Sequence, residues 1–360
     1  MIKLLLLLFI MELTLKKQSI FVRNIAVLLL LSLVASAFVG CKNQGAGSGK
    51  TEKNSVVFYD FFDTVSEISD YSGKGKESFN AAVKMVESLL DYYHRAFDIY
   101  HEYDGMNNIA TINRKAGVEP VRVDRAIIDF LEYSREICTL TDGNVNIAMG
   151  SVLSIWHEYR ELGAQIPPMD ALVEANLHTD ITKMVINHEN STVYLADAKM
   201  SLDVGAIAKG YACQKIAEQL EAAGYSSYVL DLGGNLKAIG AKPDGSSWRT
   251  AVKNPDIASS EPYIYYFDIA DTSVVTSGDY QRYYTVNGVR YHHIINKDTL
   301  MPADYFSSVT IITKDSGRAD GLSTALFNMD YDSGLALATS IGGVAVVWVT
   351  KDGQVKTFGI

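Results

Sequence analysis

"SLDVGAIAKGYA", residues Ser201–Ala212, sets one carboxylate, Asp203, and one ammonium, Lys209, among small apolar side chains. Downstream, Ala212, Ile216, Ala217 and Leu220 recur at helical spacing and Gly224 supplies a C-terminal cap. The stretch therefore leads into an amphipathic helix over 210–223. With Lys209 at the helix start, the first backbone N–H groups lack intrahelical partners and favour an anion, and the ammonium adds a full charge beside them. Gly205 and Gly210 allow a ligand or a second backbone to approach closely. Two readings follow from these residues: a site for a phosphate-bearing ligand, or a helix entry stapled by an Asp203–Lys209 ion pair.

Outward from this stretch, "SSYVLDL" (226–232) reads as a buried strand that stops at Gly233-Gly234. Further strands are expected in "WRTAVKN", "PYIYYFDIA", "SSVTIIT" and the late "GGVAVVWVT". Asp320 to Phe327 reads as a helix. On the N-terminal side, Ser55 to Ser69 reads as a strand pair, and "KMVINHENSTVYLA" (183–196) is strand-like. Helices are expected over Glu77–Arg95, where Ala81, Met85 and Leu89 fall on one face, over Val123–Thr141, and in the short "ALVEANL". Strands follow strands and helices cluster, which indicates an α+β fold rather than a βαβ alternation. No internal repeat is visible.

The chain has 360 residues, enough for a sizeable core, and a formal net charge of −10. With no basic stripe beyond the first few dozen residues, a nucleic-acid partner is excluded, because phosphate neutralisation needs clustered Lys and Arg. Those first residues read as a targeting segment. Lys16, Lys17 and Arg23 precede an apolar run from Ile25 to Val39 that Gly40-Cys41 closes. "GAGSGKT" (45–51) mimics a phosphate loop, but Gln44 stands where that motif needs Gly, and "EKNSV" follows instead of a helix. Its Gly, Ser, Lys and Asn describe a flexible tether. The expected organisation is a leader over 1–41, a linker over 42–54 and one large domain over 55–360. The body's two cysteines, Cys138 and Cys213, make no disulfide framework and read as small buried residues.

Two further constellations carry chemistry. In "GRADGLSTALF" (317–327), Asp320 and Thr324 are four apart, so a helix places their oxygens on one face. That hard oxygen pair suits Mg²⁺ or Ca²⁺; it also suits a capping Asp on an ordinary helix. In "TSGDYQRYYTVNGVRYHHIINKDTLMP" (276–302), "VNGV" is a hairpin signal, and strand alternation lets only one of His292 and His293 face the interior. One candidate general base follows, although a lone His is often structural.

In order along the chain, "FDT" (62–64), "GNVNIAMG" (143–150), "DVGAIAKGYA", "LDLGGN", "TSGDY", "HHII" and "ADGLSTALF" resemble the ApbE family, the FAD:protein FMN transferases. The resemblance runs from about residue 57 to the C-terminus. It implies a T-fold-like catalytic domain of mostly antiparallel sheet with packed helices. It implies an enzyme that takes FAD as substrate, uses Mg²⁺, with Ca²⁺ as the alternative, and transfers FMN to a Thr or Ser hydroxyl of an acceptor protein, releasing AMP. By motif position, the metal ligands would be the Ala206 carbonyl, Asp320 and Thr324. Phe62, Tyr100, Asn144, Val145, Asn146, Asp203, Lys209 and Ile294 would contact FAD, and His293 would be catalytic. "AFVGC" resembles a lipobox, so Cys41 is expected to carry lipid and to anchor the body outside the cytoplasm. An exported redox-complex subunit is the acceptor the family implies. Three stretches depart from the family pattern: Phe62-Asp63-Thr64 replaces Met-Gly-Thr, Val145-Asn146-Ile147-Ala148 replaces Phe-Asp-Ile-Thr, and "NKDTL" replaces Asp-Pro-x-Thr-Gly. With water in place of the hydroxyl, the same site would be an FAD pyrophosphatase; without chemistry, it would be a flavin-binding lipoprotein.

Overall fold

Every second residue of Tyr228–Leu232 is buried, the pattern of a strand with one face on a core. That strand sits inside a larger sheet. The computed structural model describes residues 53–360, which lie within one unit, Thr51–Ile360. The leader, Cys41 and nearly all of the expected linker lie outside the described residues.

The chain opens with β1 (Asn54–Phe61) and β2 (Thr64–Asp70), then α1 (Lys76–Phe97) and α2 (Ile109–Arg114). It continues through β3 (Val121–Arg122), α3 (Arg125–Leu140), α4 (Gly150–Leu162), α5 (Met169–Asn176), β4 (Met184–Asn187) and β5 (Thr192–Leu195). Next come α6 (Ala208–Ala222), β6 (Tyr228–Leu232), β7 (Asn235–Ile239), β8 (Trp248–Lys253) and β9 (Tyr263–Ile269). Then follow β10 (Ser273–Gly278), β11 (Tyr283–Val286), β12 (Val289–His292) and β13 (Phe306–Thr313). The chain ends with α7 (Ser316–Phe327), α8 (Tyr331–Ile341), β14 (Ala345–Thr350) and β15 (Val355–Phe358).

Eight strands form one sheet in the order β1-β2-β6-β7-β10-β13-β14-β15, and every adjacent pair is antiparallel. Strands β3, β5 and β4 make a small second sheet, and β8–β9 and β11–β12 are separate hairpins. The α+β fold of mostly antiparallel sheet is thus what the sequence led one to expect. Helix α1 packs on β1 and β2, α6 on β6 and β7, and α7 on β10 and β13. The core between these helices and the sheet holds Ile68, Leu90, Ile216, Leu230, Val309 and Trp348, all fully buried or nearly so. Each such side chain contributes roughly 1.5–3 kcal/mol over leaving it in water. Trp248 and Ile269 of the β8–β9 hairpin pack with Ala238 and Val274 in a separate apolar cluster. The alternating neighbours Ile239 and Val275 belong to the helix-side core, so β7 and β10 are covered on both faces.

Three two-residue turns close antiparallel strand pairs. Phe62 and Asp63 (φ 56° and 50°) join β1 to β2, Gly233 and Gly234 (φ 59° and 92°) join β6 to β7, and Asn287 and Gly288 (φ 50° and 80°) join β11 to β12. Positive φ at both central residues matches the twist of the flanking strands. Gly233 is required twice over, because a Cβ there would lie 2.3 Å from the Thr64 hydroxyl oxygen of the neighbouring turn. Helices α6 and α7 start two and four residues earlier than expected. Cys138 and Cys213 are buried free thiols.

Candidate active site

Helix α6 enters from the Asp203–Ile207 turn. The Asp203 carboxylate caps that turn through Oδ1, which accepts the Gly205 N–H at 2.9 Å, while the Asp203 N–H donates to the Ile147 carbonyl at 2.7 Å. Helix α7 starts behind Asp315, whose Oδ1 accepts the Arg318 N–H at 2.8 Å. The two helices touch at Gly210. A Cβ there would lie 2.4 Å from both the Asp320 Cβ and the Ser316 carbonyl oxygen, so only glycine admits this approach.

At the contact, the Gly210 N–H donates to Asp320 Oδ2 at 2.8 Å, and the Lys209 ammonium lies 3.8 Å from the same oxygen. Burial pushes the Asp320 carboxyl above its usual range, while the Lys209 charge and the Gly210 N–H pull it back. Lys209 therefore pairs with Asp320 and not with Asp203, which corrects the ion pair weighed from sequence. The helix start is also less open to an anion than its sequence suggests. The Ala208 N–H is taken by the Val204 carbonyl and the Gly210 N–H by Asp320.

This diversion has a consequence for Ala206. In a regular helix the Gly210 N–H would donate to the Ala206 carbonyl. Here it goes to Asp320, and among the described residues no donor reaches the Ala206 oxygen, nor does any reach Asp320 Oδ1. Thr324, one turn beyond Asp320, shares its hydroxyl with Ser277 of β10 at 3.3 Å, and Ser277 also contacts the Ser323 hydroxyl at 2.8 Å. One carbonyl, one carboxylate and one hydroxyl thus keep hard oxygens near the α6–α7 contact. This donor set fits a divalent cation that completes its shell with water and phosphate oxygens. Among the described residues no group of three or more His, Cys, Asp or Glu side chains offers a different metal centre.

The two histidines separate as strand alternation requires. His292 is buried, its Nε2 donating to the Ala303 carbonyl at 2.7 Å and its Nδ1 accepting the Ile294 N–H at 3.2 Å. Both nitrogens are committed, so this ring is structural. His293 is half-buried, and its Nδ1 donates to the Arg282 carbonyl at 3.2 Å, which leaves the Nε2 lone pair available. Burial lowers its pKa to about 3, and the Arg282 and Lys209 charges act in the same direction. Ile294 is buried beside it and accepts the Ala303 N–H at 3.0 Å.

The remaining sequence-predicted residues each have local partners. The Phe62 N–H donates to His94 Nδ1 at 3.1 Å, with the rings edge-on at 5.8 Å. The Arg282 guanidinium donates to the Asp63 carbonyl at 3.4 Å, tying the β1–β2 turn to the segment that bears His293. Asn144 and Asn146 use their side-chain amides internally. Asn144 donates to the Thr141 carbonyl at 3.0 Å, while Asn146 donates to the Thr179 carbonyl at 2.9 Å and accepts the Ala148 N–H at 2.9 Å. Val145 is buried, and its N–H donates to the Thr141 hydroxyl at 3.2 Å. Tyr100 is 62% exposed, and its hydroxyl meets His157 Nδ1 at 3.3 Å. Sequence reasoning missed His157 and Ser277. Ser277 lay inside a quoted motif, whereas His157 lies in α4, a helix whose polar pattern hid it.

An antiparallel sheet backed by two helices, with oxygens of Ala206 and Asp320 left without protein donors where the helices meet, is the frame of an α+β enzyme of one known family. The chain belongs to the ApbE family, whose sequence pattern matches residues 62–348. It is 33% identical over 307 residues to the FAD:protein FMN transferase of Treponema pallidum, covering 81% of this chain and 83% of that one. To the FAD:protein FMN transferase of Escherichia coli K12 it is 25% identical over 330 residues, covering 90% and 93%. The crystal structure of the ApbE protein of Thermotoga maritima superposes with a TM-score of 0.76 at 26% identity, covering 86% of this chain and 97% of that one. The flavin transferase ApbE of Vibrio cholerae shares the fold, with a TM-score of 0.73 at 23% identity over 85% and 96%.

Proposed function

We infer that this chain transfers the FMN half of FAD to a hydroxyl of an acceptor protein. Family membership together with the Gly210–Asp320 contact carries the reading, because that contact is what leaves the Ala206 and Asp320 oxygens unspent. Those oxygens and the Thr324 hydroxyl would hold Mg²⁺ or Ca²⁺. Bound there, such an ion supplies positive charge to the pyrophosphate oxygens of FAD.

The protein's own groups do the rest. Lys209 holds its ammonium beside Asp320 and meets negative charge that develops on the phosphoryl oxygens. The Phe62-Asp63 turn, Tyr100, Asp203 and the 144–146 segment orient the flavin end of the substrate. His293 Nε2, unprotonated, accepts the proton of the incoming Thr or Ser hydroxyl. A bond forms from that oxygen to the phosphorus on the flavin side, the pyrophosphate bond breaks, and AMP leaves. The reaction gains most from positioning and electrostatics, as in other phosphoryl transfers.

Cys41 is read as the lipid-bearing residue of a lipoprotein and the body as extracytoplasmic, on the strength of the basic residues, apolar run and Gly40-Cys41 junction. The acceptor would then be an exported redox-complex subunit. Incubation of the protein with FAD and Mg²⁺, with and without a Thr-bearing acceptor, tests the activity. AMP release together with a covalently flavinylated acceptor is expected. FMN release that needs no acceptor would make the protein a pyrophosphatase, and FAD held unchanged would make it a binder.

A further inference from the structure

We propose that His157 is a positioning residue for FAD, its ring joining the Tyr100 hydroxyl to the Asp203 carboxylate so that neither moves freely. The inference rests on the transferase reading. Three observations carry it. First, the Gly150 N–H donates to the Ser201 carbonyl at 3.0 Å, which pins the start of α4 to the Ser201–Asp203 segment. Trp156 is buried and bonds through its indole N–H to the Leu300 carbonyl at 2.9 Å, so the next residue, His157, is carried rigidly to Asp203.

Second, the ring reaches both neighbours at once. Nδ1 lies 3.3 Å from the Tyr100 hydroxyl and Nε2 lies 3.7 Å from Asp203 Oδ2. Burial favours the neutral imidazole, against the pull of the Asp203 charge. Partial burial, then the nearby Asp203 charge, raises the Tyr100 phenol and keeps it protonated. The hydroxyl therefore donates to Nδ1, and Nε2–H lies beside the carboxylate as a longer-range electrostatic contact. Third, Tyr100 is 62% exposed, so packing alone does not fix its ring. Its hydroxyl bond to His157 supplies the constraint, and Asp203 Oδ1, held by the Gly205 N–H, closes the other end. A Tyr–His–Asp chain thus spans two residues that the family resemblance places against FAD.

FAD affinity by fluorescence, together with kcat and KM for transfer, tests this on the full protein. His157→Phe is expected to raise the FAD Kd and KM about tenfold while leaving kcat within about twofold, since one positioned hydrogen bond is lost. His157→Asn, whose amide oxygen can take the Nδ1 place, is expected to recover most of the affinity. Tyr100→Phe should match His157→Phe, and the double variant should be no worse than either. If His157→Phe melts early, His157→Asn and Tyr100→Phe carry the test. FAD binding within twofold of the parent in His157→Phe, or single losses that multiply in the double variant, would overturn the proposal. A parent protein that does not bind FAD at all would instead overturn the transferase reading, and this inference with it.

Discussion

Asp320 divides its work between its two oxygens: Oδ2 accepts the Gly210 N–H, and Oδ1 is free of protein donors. The two roles can be parted. Asp320→Asn keeps an oxygen for the Gly210 amide but removes the charge, so the melting temperature should stay close to the parent's. If Asp320 holds the proposed cation, FMN transfer should fall at least about a hundredfold. Transfer retained in that variant would remove the cation from the mechanism. His293 makes a different prediction. An imidazole whose pKa is lowered to about 3 stays neutral from pH 8 down to pH 5. The pH profile of kcat/KM should therefore show no step from this residue near the ordinary His value of about 6.5. A step there that vanishes in His293→Gln would contradict the neutral ring. The same shift bears on folding. The unfolded chain takes up a proton at this residue below about pH 6.5 and the folded protein does not, so stability falls as pH drops through that value.

Helices α6 and α7 hold the site only because their backbones nearly touch. Gly210→Ala would drive a methyl group against the Ser316 carbonyl and the Asp320 Cβ, each 2.4 Å from the new carbon. Overpacking of this kind costs about 1–3 kcal/mol, a melting-temperature fall on the order of 5 °C for a domain this size. Calorimetry should show that fall together with a loss of transfer, since separating the helices also breaks the Asp320 bond. Both helices could be read in the sequence, from regular small and apolar spacing after Gly210 and from the Asp320–Thr324 pair. What could not be read was that Gly210 donates to Asp320, because a bond between residues 110 apart leaves no local pattern. Helix α4 escaped for another reason. "HEYREL" puts polar side chains on most of its last two turns, and only Gly150, Val152 and Trp156 are buried. Helix α8 has only Gly334 and Ala338 as its buried positions, so apolar spacing is faint there too. The motif stretches did reveal which residues mattered; they did not reveal that Asn146 would bond to backbone on both sides of its amide.

At the scale of the whole molecule, one carboxylate beside the small β3-β5-β4 sheet ties together the segment after α5, the residue before β4 and the loop after β5. Asp197 accepts from His178 Nδ1 at 2.9 Å, from the Lys183 ammonium at 3.0 Å and from the Lys199 N–H at 3.0 Å. The His178 bond, then the Lys199 N–H and the Lys183 ammonium, hold its carboxyl well below the usual range. A lowered carboxyl adds stability that is complete above the ordinary Asp value of about 3.9 and is lost as pH falls through its own lower one. Asp197→Asn should therefore melt earlier than the parent at pH 7, with the gap closing under acid conditions. A gap that persists unchanged at pH 2 would place the effect in packing rather than in charge.

The junction of Gly210 and Asp320 also dictates an order of events during synthesis. Its halves are 110 residues apart, and β10 and β13, on which α7 rests, lie between them. Closing so long a loop is slow and costs entropy that only the finished sheet returns. A nascent chain that has not yet reached Asp320 has no carboxylate to offer α6. Competence for flavin chemistry is thus among the last properties the polypeptide acquires as it matures.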